Sequence, residues 1–192
     1  MSQYTATHRG NAVTLPGPLA LIEAGRSDRA VSWYDLAGRS VRAFAEKVGE
    51  TPEHVASVLA ITSPRVSVAH NVALTRAFFE VGALPPLPAS RAALANYLAG
   101  PQDPERIRGD KTRNFALAIL GDVDAVVVDV WTVRGLGWAD RRIGRKVYRK
   151  AAATLRALGT RAGLDARDAQ AALWYGTRAA YGRGGGQDLI VL

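Results

Sequence analysis

Two residues of this sequence, Lys111 and Asp129, have the types and the spacing that nucleophilic chemistry requires. Lys111 precedes an apolar run, 115–120, that has the pattern of a helix and is followed by Gly121. Asp129 comes eighteen positions after the lysine (129 − 111), directly after the apolar run 125–128. A helix of ten residues rises about 15 Å, and seven extended residues span about 23 Å. The chain can therefore return alongside the helix, so we predict that Lys111 and Asp129 meet at one end of it.

The position of Lys111 in the first turn of a helix makes it a candidate nucleophile. A cation there faces the positive end of the helix dipole, an unfavourable interaction of roughly 0.3–1 kcal/mol. The same field, together with partial burial, favours a neutral amine, which is the nucleophilic form of a lysine. A carboxylate at Asp129 can act as a base or stabilise positive charge on a substrate. The alternative is that Lys111 is a solvated lysine and Asp129 caps a helix.

The elements that position these residues are predicted to be helices. Helix starts are indicated by capping residues and by proline at the first helical position; the candidate caps are Ser32, Thr51, Ser90, Asp110 and Asp165. The run 125–128 is the only strand-like segment, and it is too short and isolated to found a sheet. We therefore predict an all-α fold, a two-lobed helical bundle with a cleft between the lobes.

The chain divides into three predicted regions. Residues 1–29 form an N-terminal arm, 30–182 a helical domain, and 183–192 a C-terminal tail. The prolines of the segment 82–90 indicate a stiff connector and a candidate lobe boundary. The last four residues are too apolar to extend into water, so we expect them to pack back or to meet a partner.

The charge of the chain favours a nucleic-acid partner. Its 25 Lys and Arg residues against 17 Asp and Glu residues leave a formal net charge of +8, and arginine suits phosphate because its guanidinium binds oxygen pairs. Segment 141–150 is the most basic, and we predict a phosphate track there. The predicted DNA-binding residues are Arg65, Arg108, Gly109, Arg141, Arg142, Arg145 and Lys146. The alternative is an arginine-rich composition spread over an ordinary surface.

Other classes of site are disfavoured by composition. The chain has no cysteine and only three histidines, far apart, so neither a disulfide nor a metal site is indicated. We expect no cofactor and no metal. No signal peptide and no apolar run of about eighteen residues is present. The predicted location is therefore the cytoplasm, in association with the nucleoid, or the host cytoplasm if the chain is viral, without a membrane partner.

The segment around Lys111 resembles a known superfamily. The pattern Gly109-Asp110-Lys111-Thr112-Arg113-Asn114, with an aspartate eighteen residues after the lysine and Arg134 five residues later, is similar to the core of the helix-hairpin-helix-GPD superfamily. Endonuclease III-like DNA glycosylases are the members that it resembles most. Segments 59–71 and 168–174 are similar to neighbouring parts of that family. The resemblance implies that Lys111 attacks C1′ of a damaged nucleotide in duplex DNA while Asp129 supports departure of the base.

Three features depart from the family pattern. The hairpin that precedes the lysine is reduced to 107–110, and the glutamine of the upstream segment is replaced within 62–64. Without cysteine, the iron–sulfur cluster of many relatives cannot form. The resemblance thus implies a divergent DNA glycosylase with AP-lyase activity. The alternatives are an enzyme of DNA base hypermodification on the same scaffold, and a non-catalytic basic DNA-binding module.

Overall fold

A computed structural model describes residues 3–8, 11–138, 143–183 and 189–192. These residues are mostly helical, which confirms the predicted all-α character at the level of secondary structure. The helices are α1 (Pro18–Gly25), α2 (Asp28–Val31), α3 (Trp33–Val48), α4 (Pro52–Thr62), α5 (Val68–Val81), α6 (Pro88–Leu98), α7 (Asp110–Leu120), α8 (Val130–Gly135), α9 (Arg145–Ala162) and α10 (Ala166–Ala180), with a 3₁₀ helix at Pro104–Arg106.

A β-hairpin near the N-terminus was not predicted. Strands β1 (Gln3–His8) and β2 (Asn11–Pro16) pair antiparallel, with His8 opposite Asn11. The prediction that 125–128 is the only strand-like run was therefore wrong, and 125–128 itself has no regular secondary structure. Both strands are rich in threonine and other residues that suit a pleated surface. Pro16 is tolerated because it is the last residue of its strand.

The chain forms two compact units. Unit 1 consists of Met1–Trp33 and Val123–Gln187, and it contains the hairpin, α1, α2 and α8 to α10. Unit 2 consists of Tyr34–Asp122 and Asp188–Leu192, and it contains α3 to α7. The chain passes between the units after Trp33, after Asp122 and after Gln187, and the lobe boundary near 82–90 stays a prediction.

In unit 1, the backbones of α1 and α10 are in direct contact. A Cβ atom added to Gly25 would lie 2.0 Å from the carbonyl oxygen of Ala172, and one added to Gly176 would lie 2.0 Å from that of Leu21. Only glycine permits this approach. The helices α8 and α9 complete a core whose buried members include Leu21, Ile22, Val126, Val128, Val133, Leu155 and Leu173.

In unit 2, the central helix is α4, in which every residue from His54 to Thr62 is buried. Thr51 caps this helix by accepting a hydrogen bond from the His54 backbone N–H, as predicted. The end of α4 contacts α5 through polar groups rather than apolar ones. The Asn71 Nδ2 donates to the carbonyl oxygen of Leu59 at 3.0 Å, and the Thr62 hydroxyl donates to the Asn71 Oδ1 at 2.7 Å.

The variant Asn71→Leu is expected to lower the free energy of unfolding by about 1–3 kcal/mol. Leucine removes two buried hydrogen bonds, one from the amide to the Leu59 carbonyl and one from the Thr62 hydroxyl to the amide oxygen, and such bonds contribute about 0.5–1.5 kcal/mol each. Urea unfolding followed by circular dichroism measures the effect. The neighbouring variant His70→Leu is the control, because His70 is exposed. Equal stability of the two variants would contradict this role of Asn71.

Two predicted caps were wrong, one by three positions and the other by one. The N-cap of α6 is Leu87, and Ser90 lies inside the helix and is buried, because Pro88 already has the φ of a first helical residue. The N-cap of α7 is Gly109, and Asp110 is the first residue of the helix.

The C-terminal segment packs back onto unit 2, where Ile190 is buried and the Leu192 N–H donates to the Ser40 hydroxyl at 2.8 Å.

Candidate functional site

Lys111 lies in the first turn of α7, in unit 2. The preceding Gly109 has φ 98° and ψ 120°, a backbone conformation that favours glycine. Beside the lysine, the Arg113 guanidinium donates to the Asp110 carboxylate at 3.1 Å, and the Asn114 amide donates to the Asp110 carbonyl at 2.7 Å. Lys111 is half-buried, and within the described residues its amine has no hydrogen bond or ion pair. No internal carboxylate in that part of the chain therefore has to be displaced before the amine can react.

Asp129 lies in unit 1 and is the N-cap of α8. Its Oδ1 accepts hydrogen bonds from the Thr132 backbone N–H at 2.8 Å and from the Thr132 hydroxyl at 3.0 Å. Its Oδ2 accepts one from the Trp174 indole Nε1–H at 3.2 Å. Both oxygens are thus engaged, and the structural role that the sequence allowed for Asp129 is present. Because Lys111 and Asp129 belong to different units, their proximity stays a prediction.

The buried run before Asp129 is held by side chains of α8 and α9. The Tyr148 hydroxyl donates to the Val126 carbonyl at 2.5 Å, and the Thr132 hydroxyl lies 3.3 Å from the Val127 carbonyl. The Tyr148 hydroxyl thus satisfies a backbone carbonyl that would be costly to bury alone in a segment without regular structure. The single proton of the Thr132 hydroxyl is donated to Asp129, so the contact with the Val127 carbonyl is the weaker one.

The hairpin holds the other end of α8. The Tyr4 hydroxyl donates to the carbonyl oxygens of Arg134 at 2.7 Å and Gly135 at 3.0 Å. Burial, with a smaller contribution from Tyr181, raises the pKa of the Tyr4 phenol above its ordinary value. The hydroxyl therefore stays a hydrogen-bond donor into the alkaline range, and α8 is held at both ends.

Arginines and aromatic rings of α8 and α10 stack in unit 1, in a cluster of Trp131, Arg134, Trp174, Arg178 and Tyr181. The Arg134 guanidinium lies 4.7 Å from the Trp131 ring centroid, and the Arg178 guanidinium lies 4.4 Å from that of Trp174. Arg178 is also 6.0 Å from Trp131, and Arg134 is 5.9 Å from Tyr181. We call this set the arginine–aromatic stack.

The arginine–aromatic stack was not predicted. Arg178 is half-buried, and Arg167 is 4% exposed. A sequence signal for the stack exists, because Arg134 follows Trp131 by three positions and Arg178 follows Trp174 by four. Residues at these spacings are neighbours on one face of a helix, and a guanidinium beside an indole favours a cation–π contact.

The predicted DNA-binding residues are distributed over both units. In unit 2, Arg108 and Arg65 are exposed, and Arg65 has a φ of 64°, which is uncommon for a residue other than glycine. In unit 1, Arg145 and Lys146 are exposed in the first turn of α9. Arg141 and Arg142 lie outside the described residues.

Two other features are absent from the described residues. No group of three or more His, Asp or Glu side chains in these residues could hold a metal ion. None of the described helices combines the length and the hydropathy that a membrane crossing requires.

Comparison with known proteins identifies a protein family. A protein-family model described as a family of unknown function (DUF7178) matches residues 22–180. The match extends from α1 to the end of α10 and so covers most of the chain and parts of both units. Neither a search of curated proteins nor a search of solved structures found a match.

Proposed function

We propose that this chain, which belongs to the family of unknown function DUF7178, is a DNA glycosylase-like base-excision enzyme of the helix-hairpin-helix-GPD type with AP-lyase activity. Its substrate is a nucleotide flipped out of duplex DNA. The Lys111 amine attacks C1′ while the bond from C1′ to the base breaks, and the base leaves with its electron pair and is protonated. The amine then loses its proton, the sugar ring opens, and a Schiff base joins the lysine to the sugar. Asp129 is the proposed acid–base or electrostatic helper.

The observation that carries this proposal is the state of Lys111. Lys111 is half-buried in the first turn of α7, and its amine has no hydrogen bond or ion pair within the part of the chain that the structure describes. Backbone N–H groups at the start of a helix favour an anionic oxygen such as a phosphate. An amine and such donors together suit attack on a sugar that is flanked by phosphates. The resemblance of segment 109–134 to DNA glycosylases also supports Lys111 as the nucleophile.

The test is reductive trapping with the wild-type protein. The protein is incubated with labelled duplexes that contain an abasic site or one of a panel of damaged bases, in the presence of borohydride. We expect a covalent protein–DNA adduct, because borohydride reduces the Schiff base to a stable amine. Released bases are measured in parallel by mass spectrometry. If no duplex of the panel gives an adduct or a released base, the proposal is contradicted. Modified nucleosides would instead favour base hypermodification.

A second candidate function is a DNA-binding module without chemistry. Two observations favour it: both oxygens of Asp129 already accept internal hydrogen bonds, and α9 presents exposed Arg145, Lys146, Arg149 and Lys150. In this case the affinity for DNA falls steeply with salt concentration. The variants Lys111→Gln and Asp129→Asn would then change the affinity for DNA only by the effect of the one charge that each removes. No adduct would form.

A further inference from the structure

We propose that α9 of unit 1 is the main electrostatic binding surface for the phosphate backbone of duplex DNA. We call its six basic residues the basic face; they are Arg145, Lys146, Arg149, Lys150, Arg156 and Arg161. The inference rests on the proposed function only for the choice of DNA as the ligand, because it needs no chemistry at Lys111. It extends the expected phosphate track along the whole helix and assigns little of the affinity to unit 2.

The first observation is the distribution of charge between the two units. Unit 1 contains 15 of the 25 Lys and Arg residues and 7 of the 17 Asp and Glu residues, so it carries the entire formal net charge of +8. Unit 2 contains the remaining 10 of each kind and is formally neutral. An arginine-rich composition spread over an ordinary surface would charge both units. The excess of positive charge is therefore a property of unit 1 alone.

Within unit 1, positive charge is concentrated on α9. This helix has 18 residues, which include the six cations of the basic face and no acidic residue. All six basic residues are exposed, and none of them forms an ion pair within the described residues. In unit 2, by contrast, Arg76 lies 3.2 Å and Lys47 lies 3.8 Å from the Glu80 carboxylate. The basic face thus lacks the acidic partner that Arg76 and Lys47 share.

The charges of the basic face are unfavourable for the helix itself. Arg145 and Arg149 are four positions apart, as are Lys146 and Lys150, and like charges at this spacing repel each other. The first turn contains two cations and no acid, so the helix dipole adds a second unfavourable term. No ion pair in the described part of the chain relieves either effect. An anionic ligand from outside the chain would relieve both.

The other exposed residues of α9 favour duplex DNA over a membrane or a single strand. They are Ala153, Ala157 and Thr160. A helix that lies in a membrane surface needs large apolar side chains beside its cations, and the exposed positions of α9 have none. Binding of single strands uses aromatic rings that stack with bases, and these positions have none either. Cations with small neighbours instead let a duplex backbone approach over about 24 Å, the rise from Arg145 to Arg161.

The test compares the double variant Arg145→Gln/Arg149→Gln with the control Arg39→Gln/Arg42→Gln. The control removes the same charge, because Arg39 and Arg42 are exposed arginines of α3 in unit 2 without an ion pair in the described residues. Affinity for a fluorescein-labelled duplex is measured by anisotropy over a series of salt concentrations. We expect the α9 variant to bind about tenfold more weakly and to lower the salt slope by about 1.8, the value for two phosphate contacts. The control should change little.

The stability of the α9 variant gives a second readout. Glutamine has nearly the helix propensity of arginine, and it removes the repulsion between Arg145 and Arg149 and the unfavourable term with the helix dipole. The urea midpoint should therefore stay equal or rise while the affinity for DNA falls. A fall in the midpoint would show that the arginines stabilise the fold and would overturn the inference. The variant Arg145→Lys/Arg149→Lys keeps both charges and should retain most of the affinity.

Equal effects of the α9 variant and the control on affinity would overturn the inference, because net charge alone would then explain binding. Tighter binding of a single strand of the same sequence would also overturn it. So would binding of the wild-type protein to vesicles of equimolar phosphatidylcholine and phosphatidylserine but not to the duplex, or no affinity for DNA at all.

Borohydride trapping on the same proteins separates this inference from the proposed enzyme. If affinity depends on α9 and the wild-type protein forms no adduct, the proposed enzyme is contradicted and the basic face is supported. If the wild-type protein forms an adduct and the α9 variant binds DNA and forms the adduct equally well, the basic face is contradicted and the enzyme is supported.

Discussion

The variant Lys111→Ala is expected to reduce borohydride trapping on abasic duplex DNA by at least about a hundredfold. Removing the nucleophile of a covalent mechanism leaves only the contributions of binding and orientation. Lys111 is half-buried and its amine has no partner within the described residues, so its removal leaves no internal group unpaired there. The adduct is measured on denaturing gels, and DNA affinity is measured separately.

Two further variants make this result specific. Lys111→Arg keeps the positive charge but cannot form a Schiff base, so it should bind DNA and fail to trap it. Lys47→Ala removes an exposed lysine of unit 2, which pairs with Glu80 at 3.8 Å, and should trap normally. Trapping by Lys111→Ala at the wild-type level would show that another amine is the nucleophile.

Measurement of base release tests the role of Asp129. Asparagine keeps one acceptor oxygen, so Asp129→Asn can still cap α8 but loses the charge that Trp174 contacts. Reduced base release with unchanged stability would support the helper role. Unchanged base release would leave Asp129 with the structural role alone.

The variant Gly176→Ala is expected to lower the free energy of unfolding by about 3 kcal/mol. A Cβ atom there would lie 2.0 Å from the Leu21 carbonyl oxygen and 3.2 Å from the Gly25 backbone nitrogen. Real Cβ atoms do not approach backbone atoms at 2.0 Å, so α1 and α10 must separate and lose part of their packing, which typically costs about 1–3 kcal/mol or more. The gain in helix propensity, about 1 kcal/mol, has the opposite sign and is too small to offset it.

Gly144→Ala is the matched control for Gly176→Ala. Apart from residues 143–145, no atom of the described residues lies within 4 Å of the position of its Cβ, and its φ is −83°. Its effect should be below about 1 kcal/mol, from the weaker capping by alanine. Both variants are compared by urea unfolding. A rise in stability of Gly176→Ala, as propensity alone predicts, would contradict the close contact of the two helices.

Local signals predicted the helix ends well. Thr51 and Asp165 cap helices through hydrogen bonds to the backbone N–H groups of His54 and Asp168, and Gly121 ends α7 in the left-handed conformation. Each of these contacts joins residues within one turn of one another, so the residue types alone predict them. The misplaced caps at Ser90 and Asp110 have the same origin, because several adjacent residues can begin a helix and the chain uses only one.

The contacts of the candidate site were less predictable. Trp174 donates to Asp129 across 45 positions of the chain, and Tyr148 donates to Val126 across 22. No helical or strand periodicity in the sequence predicts a contact between residues so far apart in the chain. The spacing of the two Arg–Trp pairs favours contacts within one helix, but the meeting of Arg178 with Trp131 requires α8 to pack against α10.

The sequence by itself determined the helical character, most helix ends and the excess of positive charge, because these depend on residue type and on neighbours within a few positions. Only the tertiary structure decided that Gly176 permits contact of two backbones and that the Asp129 carboxylate accepts a hydrogen bond from the Trp174 indole. It also decided that Arg178 is half-buried without an acidic partner in the described residues. These properties depend on distances between segments that are far apart in the chain, and packing of the core sets those distances.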